Sequence, residues 1–398
     1  MTAAAITSKA QTKRGNGRYL TAIYFASFIA IGLTTGSLGP TLPSLAEQTN
    51  SSISTTSYLF MFRSLGYVSG SVRSGKLFDS HSGNIVMGVL CMFAALVVAL
   101  IPFSTNLIFL FFLMFALGVA EAGLDVGANT LLVRVHQDRV GPFMNAMHAC
   151  FGIGALIAPL IVAHVIASGV KPSQTYSVLA VLLLPVAAAT FSVPSPHAPK
   201  ADVVETNGTV LGRSIALLVF FLLLYVGAEV GFAGWIFTYA VKTNLGSATT
   251  AAYLTSLFWA SLTIGRVLMI PLTARAKPET IIGVSLCAAV LSLTVMLLPI
   301  ASLALLSTAT AAFGLAIASI FPVTLSFAGK RMNLTGRVTG WFIVGASLGA
   351  TLLPLLAGQL LNAIGPSSTI MVPLVALIGA GVVFATITCF QSQSRSTH

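Results

Sequence analysis

Residues 106–133 read NLIFLFFLMFALGVAEAGLDVGANTLLV, and the whole fold can be worked out from this stretch. From Leu107 to Ala120 it carries no charge. Then Glu121, Asp125 and Asn129 follow at i, i+4 and i+8. That spacing puts three polar groups on one face of a helix, with small residues between them. A helix of about 20 mostly apolar residues is what a bilayer core requires. A charge inside such a helix costs about 2.5–3.5 kcal/mol on insertion scales, so a span keeps one only beside a partner or a cavity.

The rest of the chain is built the same way. Only 7% of its 398 residues are charged and 56% are hydrophobic, against about 25% charged in a soluble domain. Mean hydropathy is +0.94. An ordinary soluble enzyme, a nucleic-acid-binding domain and a disordered chain are excluded on these grounds. The pattern predicts an all-α membrane protein with twelve transmembrane helices. They run roughly over 19–45, 53–76, 84–103, 106–133, 141–167, 173–193, 213–241, 249–273, 279–299, 302–328, 336–362 and 367–390. Residues 194–212, PSPHAPKADVVETNGTVLG, form the one substantial polar gap and read as a linker. The expected organisation is a tail (1–18), a six-helix bundle (19–193), the linker (194–212), a second six-helix bundle (213–390) and a short tail (391–398).

The net charge is +11. Its cations fall almost entirely on one set of loops, among them Arg18, Arg73, Lys76, Arg134, Arg139, Arg213, Arg275, Lys330 and Arg337. The opposite loops hold only Lys171 and Lys242. By the positive-inside rule both termini and the linker are expected in the cytoplasm, in a bacterial inner membrane or a plasma membrane. The cations then read as topology determinants with some contact to anionic lipid, and no nucleic-acid partner is expected. Cys91, Cys150, Cys287 and Cys389 lie in apolar runs at no metal-ligand spacing, so they read as packing residues.

The halves read as parallel repeats. At one offset Gly32 falls on Gly227, Gly36 on Gly231, Gly39 on Gly234, Tyr58 on Tyr253, Gly70 on Gly265, Gly154 on Gly349 and Pro159 on Pro354. Repeats about an axis normal to the membrane are typical of secondary transporters, with the site at midplane between the halves.

Five charges fall inside spans: Arg63, Glu121, Asp125, Glu229 and Arg266. Asn145 and His148, at i and i+3, share a face of the fifth span. A carboxylate and a histidine in a partly desolvated cavity can carry a proton near neutral pH. Asp125, Glu121 and His148, with Arg63 opposing, are therefore the candidate groups for proton or ion coupling. Asn129, Asn145 and Glu229 are candidate substrate ligands. Trp235 and Trp259 are candidate apolar platforms, since an indole suits the C–H face of a sugar-like ligand. The chain has no HExxH and no GxxxxGK[ST], and no GxSxG in a suitable context. It is read as a non-enzyme without a cofactor, with H+ or Na+ as the ion to be coupled.

The segment Gly75-Lys76-Leu77-Phe78-Asp79-Ser80-His81-Ser82-Gly83-Asn84 resembles the loop motif of the major facilitator superfamily. The first Gly, the Leu and the Asp are in place. The second Gly comes one position late, and the usual basic pair is missing. Within that superfamily, DVGANTLLV (125–133), MNAMHACFGIGALIAP (144–159), GWIFTYA (234–240), LTIGR (262–266) and LGPTLPSL (38–45) resemble the fucose:proton symporter and sodium-dependent glucose transporter branch. The resemblance implies the major facilitator fold. It also implies a gate at Gly75 and Asp79, with Arg139 as partner, and a coupling role for Asp125 beside a substrate-site Asn145. The fucose symporters carry an acidic residue in the first span, where this chain offers only Thr34, Thr35 and Ser37.

The expected function is secondary transport by alternating access. The cargo would be a small polar solute, foremost a monosaccharide, coupled to protons or sodium. The rival is a proton-coupled exporter of amphipathic compounds, for which an apolar cavity with few carboxylates would serve equally. A non-transporting receptor is disfavoured, because it gains nothing from midplane charges. The fold needs only one chain, so the working unit reads as a monomer.

Overall fold

The computed structural model describes residues 3–196, 212–273, 275–299, 302–332 and 336–396. Most of the linker read at 194–212 lies outside them. Twelve long helices form: α1 Ala3–Gln48, α2 Tyr58–Ser80, α3 Gly83–Leu100, α4 Leu107–His136, α5 Val140–Ala167, α6 Thr175–Phe191, α7 Arg213–Lys242, α8 Ala248–Thr273, α9 Pro278–Met296, α10 Leu303–Ile317 continued by Ile320–Gly329, α11 Gly336–Ile364 and α12 Ser368–Ser396. The first helix thus starts ahead of the expected 19 and the last runs beyond 390.

Local chemistry sets several of the starts. The Asn106 side chain accepts from the N–H groups of Ile108 and Phe109 and caps α4. Ser302 caps α10 through Leu305, and Pro278 opens α9, where a missing N–H costs nothing. Eleven of the helices are long and apolar enough to cross a membrane by themselves. The exception is α2, which carries Arg63, Arg73, Lys76 and Asp79. Its place in the bundle is fixed by packing on α4. A Cβ at Gly66 would lie 2.0 Å from the Phe115 carbonyl oxygen, and one at Gly70 would lie 2.7 Å from that of Val119. Large apolar side chains such as Ile85, Phe112, Val181, Val284 and Val375 are exposed around the bundle, as lipid-facing residues are.

One span is broken. Pro322 has no N–H to give to the carbonyl of Ala318, and the helix of α10 stops at Ile317 and restarts at Ile320.

Buried side chains form two clusters, one drawn mainly from α1–α6 and the other mainly from α7–α12. Consecutive spans alternate in direction, so one end of the bundle carries both termini. The halves meet toward the other end. There Gly39 of α1 lies against Gly234 of α7, where an added Cβ would come 2.7 Å from the Gly234 carbonyl oxygen. Gln359 of α11 donates to the Ser54 carbonyl at 2.9 Å and to Ser57 Oγ at 3.3 Å. Nearer the middle, Thr351 donates to Ser64 Oγ at 2.5 Å. Between α5 and α8, Ser256 donates to the Leu156 carbonyl at 3.0 Å.

Candidate functional site

The first cluster sits where α1, α2 and α4 meet. Arg63 holds Glu121 with two donors, Nε to Oε2 at 2.8 Å and Nη2 to Oε1 at 2.7 Å. Nη2 also donates to Thr35 Oγ1 at 2.7 Å, and Thr34 donates to Glu121 Oε1 at 2.5 Å. Both side chains are buried, at 14% and 4% exposure. A bidentate guanidinium–carboxylate pair with its remaining sites satisfied is the arrangement that a low-dielectric interior tolerates. The close approach of α2 to α4 that makes it possible depends on Gly118, where a Cβ would lie 2.0 Å from the Arg63 carbonyl oxygen.

One turn further along α4 the carboxylate is differently placed. Asp125 accepts from the Tyr67 hydroxyl through Oδ2 and from Asn129 Nδ2 through Oδ1 at 2.7 Å. Among the described residues no cation forms an ion pair with it. His148 of α5 is within electrostatic reach but beyond ion-pair distance. Asp125 is half-buried, and His148 and Asn145 of α5 are exposed. The site thus contains one neutralised acid and one acid whose charge is met only by neutral donors.

The second half has its own pair. Glu229 of α7 accepts from the Tyr225 hydroxyl at 2.5 Å and lies 3.7 Å from Arg266 of α8. The Tyr225 hydroxyl oxygen also lies 3.1 Å from the Ile317 carbonyl, beside the break in α10.

The profile described as Major Facilitator Superfamily matches residues 23–354. The chain belongs to that superfamily. Sodium-dependent glucose transporter 1 of Xenopus laevis is 29% identical over 354 residues, covering 81% of this chain and 72% of its own. Sodium-dependent glucose transporter 1A of Mus musculus is 29% identical over 377 residues, covering 84% and 88%. Among solved structures, a variant of the nucleoside transporter NupG superposes with a TM-score of 0.77 at 15% identity, covering 93% of this chain and 99% of that one. A bacterial homologue of the human lysosomal transporter Spinster, inward-facing and occupied, gives 0.73 at 13% identity over 96% of each chain. The chain is a multi-pass transporter of the major facilitator fold and not an enzyme.

Within this major facilitator protein, the residues singled out from sequence divide into those the fold gathers and those it separates. Arg63, Glu121, Asp125 and Asn129 lie together on the packed pair α2 and α4, while Asn145 and His148 belong to α5, with His148 within electrostatic reach of Asp125. Glu229 belongs to the other half. Trp235 does not offer an open face. It is fully buried, donates through Nε1 to the Pro354 carbonyl at 2.8 Å, and packs on Phe60 with ring centroids 6.0 Å apart. In this conformation it closes the contact between the halves. Trp259 is 5% exposed and lies edge-on to Phe151 of the other half at 6.0 Å.

The expected gate partner is corrected. Asp79 pairs with Arg134 at 3.1 Å, not with Arg139. Arg134 belongs to the last turn of α4 and also donates to the Phe78 carbonyl at 3.2 Å. Gln137 has a left-handed backbone, φ 49°, and turns the chain away before Arg139, which stands exposed. The pair ties α2 to α4 within one half and does not bridge the halves. Gly75 is exposed, with open space around it. A second pair, Glu279 with Arg331, joins the start of α9 to the residues just after α10 in the other half.

Sequence reasoning missed Tyr67 and Tyr225 as partners of the acids. Both were findable: Tyr225 lies four residues before Glu229, and Tyr67 four after Arg63, so each shares a helix face with a membrane charge.

Proposed function

We propose that this transporter carries a monosaccharide, or a similarly small polyhydroxylated solute, coupled to sodium or protons, with sodium favoured. The observation that carries the reading is Asp125: a carboxylate near the middle of a span, served by Tyr67 and Asn129 and, among the described residues, in no ion pair. A mobile cation can neutralise it, whereas Glu121 is already neutralised by Arg63. His148, within electrostatic reach of it, and Asn145, one turn before His148 on α5, offer donors and acceptors suited to hydroxyl groups. The names of the relatives support the sugar and the sodium. Glu229 and Arg266 serve the solute from the other half.

With both termini in the cytoplasm, the end at which the halves meet through Gly39, Gly234 and Gln359 faces outward. The two bundles, 19–193 and 213–390, rock about the midplane. The cytoplasmic ends of the two bundles, where Gly75 lies and Asp79 is held by Arg134, separate as the far-end contacts close. One chain holds both halves of the path and acts alone.

The test is uptake of labelled glucose and fucose into proteoliposomes under an imposed sodium gradient and, separately, a pH gradient. Accumulation under one of them is expected. Asp125→Asn then abolishes accumulation while counterflow exchange persists. Loss of exchange and of solute binding together would make Asp125 a binding or structural residue. No accumulation under either gradient would turn the reading toward export of amphipathic compounds.

A further inference from the structure

A groove of about 510 Å³ lies between α2 and α3 with α4 as its floor, away from the solute site. Helices α2 and α3 both pack along α4 but touch each other little, which leaves the gap. Its depth is apolar, lined by Leu77, Leu90, Phe115 and Val119. At the end that carries the termini, Arg73 and Lys76 line its mouth, both exposed. Neither forms an ion pair among the described residues. The neighbouring acid, Asp79, is taken by Arg134. Val72 beside the groove is 76% exposed, and Ile85 and Val89 on α3 are 55% exposed each, so the surface around it faces hydrocarbon.

We infer that this groove holds an anionic phospholipid, with its phosphate between Arg73 and Lys76 and an acyl chain along Leu90, Phe115 and Val119. The size falls in the range of small-molecule sites, roughly 300–1,000 Å³. Two unpaired cations at the interfacial end of an apolar slot match one molecule that has a negative head and a hydrocarbon tail. A soluble phosphate has no use for the slot, and a zwitterionic lipid brings a positive group to the same mouth. Basic pockets between membrane helices are known to take such headgroups, with about 1 kcal/mol per cation near an anionic surface. The site is independent of the cargo.

Native mass spectrometry of the detergent-solubilised protein, with equal phosphatidylglycerol and phosphatidylcholine of the same chains, tests it. Phosphatidylglycerol should be retained preferentially. The Arg73→Gln/Lys76→Gln variant should lower that preference by roughly thirtyfold, the factor for two cations. Arg275→Gln, which removes an exposed cation at the same end of the other half, should leave it unchanged. Ser69→Phe fills the groove without touching a charge, and should also remove the preference. Retention of both lipids alike, an undiminished preference in the double variant, or an undiminished preference with the groove filled would each overturn the assignment. So would equal competition by glycerol phosphate.

Discussion

Each half of the transporter carries an arginine and a glutamate inside the membrane, and the two pairs are not alike. Arg63 grips Glu121 through two hydrogen bonds, with Thr34 and Thr35 completing the set, and both groups are buried. Arg266 stands 3.7 Å from Glu229, and its side chain is 34% exposed. The first pair joins α2 to α4 as fixed structure. The second is loose, shares its carboxylate with Tyr225, and lies next to the broken span. The backbone repeat has been kept while the chemistry of the two halves has diverged. That leaves one half rigid around its charge and the other able to rearrange.

The comparison breaks most sharply at Arg63. Arg63→Met strands Glu121 in a dry site and should lower unfolding stability in detergent by about 3–5 kcal/mol. Adding Glu121→Met should recover much of the loss. If the double variant is as unstable as the single one, the pair is not what holds α2 on α4.

Glycines that coincide in the repeat sharpen the comparison at the next level. A Cβ on Gly36 would sit 2.4 Å from the Ala155 carbonyl oxygen, but one on Gly231 meets nothing nearer than 3.7 Å. Gly36→Ala should therefore cost about 1–3 kcal/mol through overpacking. Gly231→Ala should stay within about 0.5 kcal/mol of the parent. Thermal unfolding of the two variants side by side decides it, and equal losses would mean the halves pack more symmetrically than their contacts say.

A small effect is also expected at the loose pair. Arg266→Gln should change stability by less than about 1 kcal/mol, because the ion pair is long and partly screened. Its transport rate should fall all the same. A loss of stability as large as that of Arg63→Met would remove the distinction between the halves.

Most of the fold was legible because the bilayer imposes one requirement on every span, and runs of 20 apolar residues meet it visibly. The midplane charges were legible for the same reason: Glu121, Asp125 and Glu229 stand out against leucine and phenylalanine. Their partners were harder. Arg63 could have opposed either acid of α4, and only the packing of Gly66 and Gly118 sets it on Glu121. Asp79 finds Arg134 because the chain turns at Gln137, a left-handed residue that no sequence period announces. The break in α10 was written in the sequence at Pro322, but a single proline inside an apolar run also fits an unbroken helix, as at Pro159 in α5. Trp235 looked like a ligand platform because its residue type suits one. Its burial depends on Phe60 and Pro354, which come from distant parts of the chain.

Beside the packing of Trp235 on Phe60 and of Gly39 on Gly234, the contact between the halves has a polar part of hydroxyls, one amide and backbone carbonyls: Ser54, Ser57 and Gln359 at the far end, Ser64 and Thr351 nearer the middle. Each such bond contributes only about 0.5–1.5 kcal/mol net, because water replaces it when it parts. A contact of leucines would expose apolar area on opening and would resist it. The polar part can be wetted and dried repeatedly at little thermodynamic expense, which narrows the gap between the two closed forms of the protein. A modest preference of solute or ion for one form is then enough to reverse their populations.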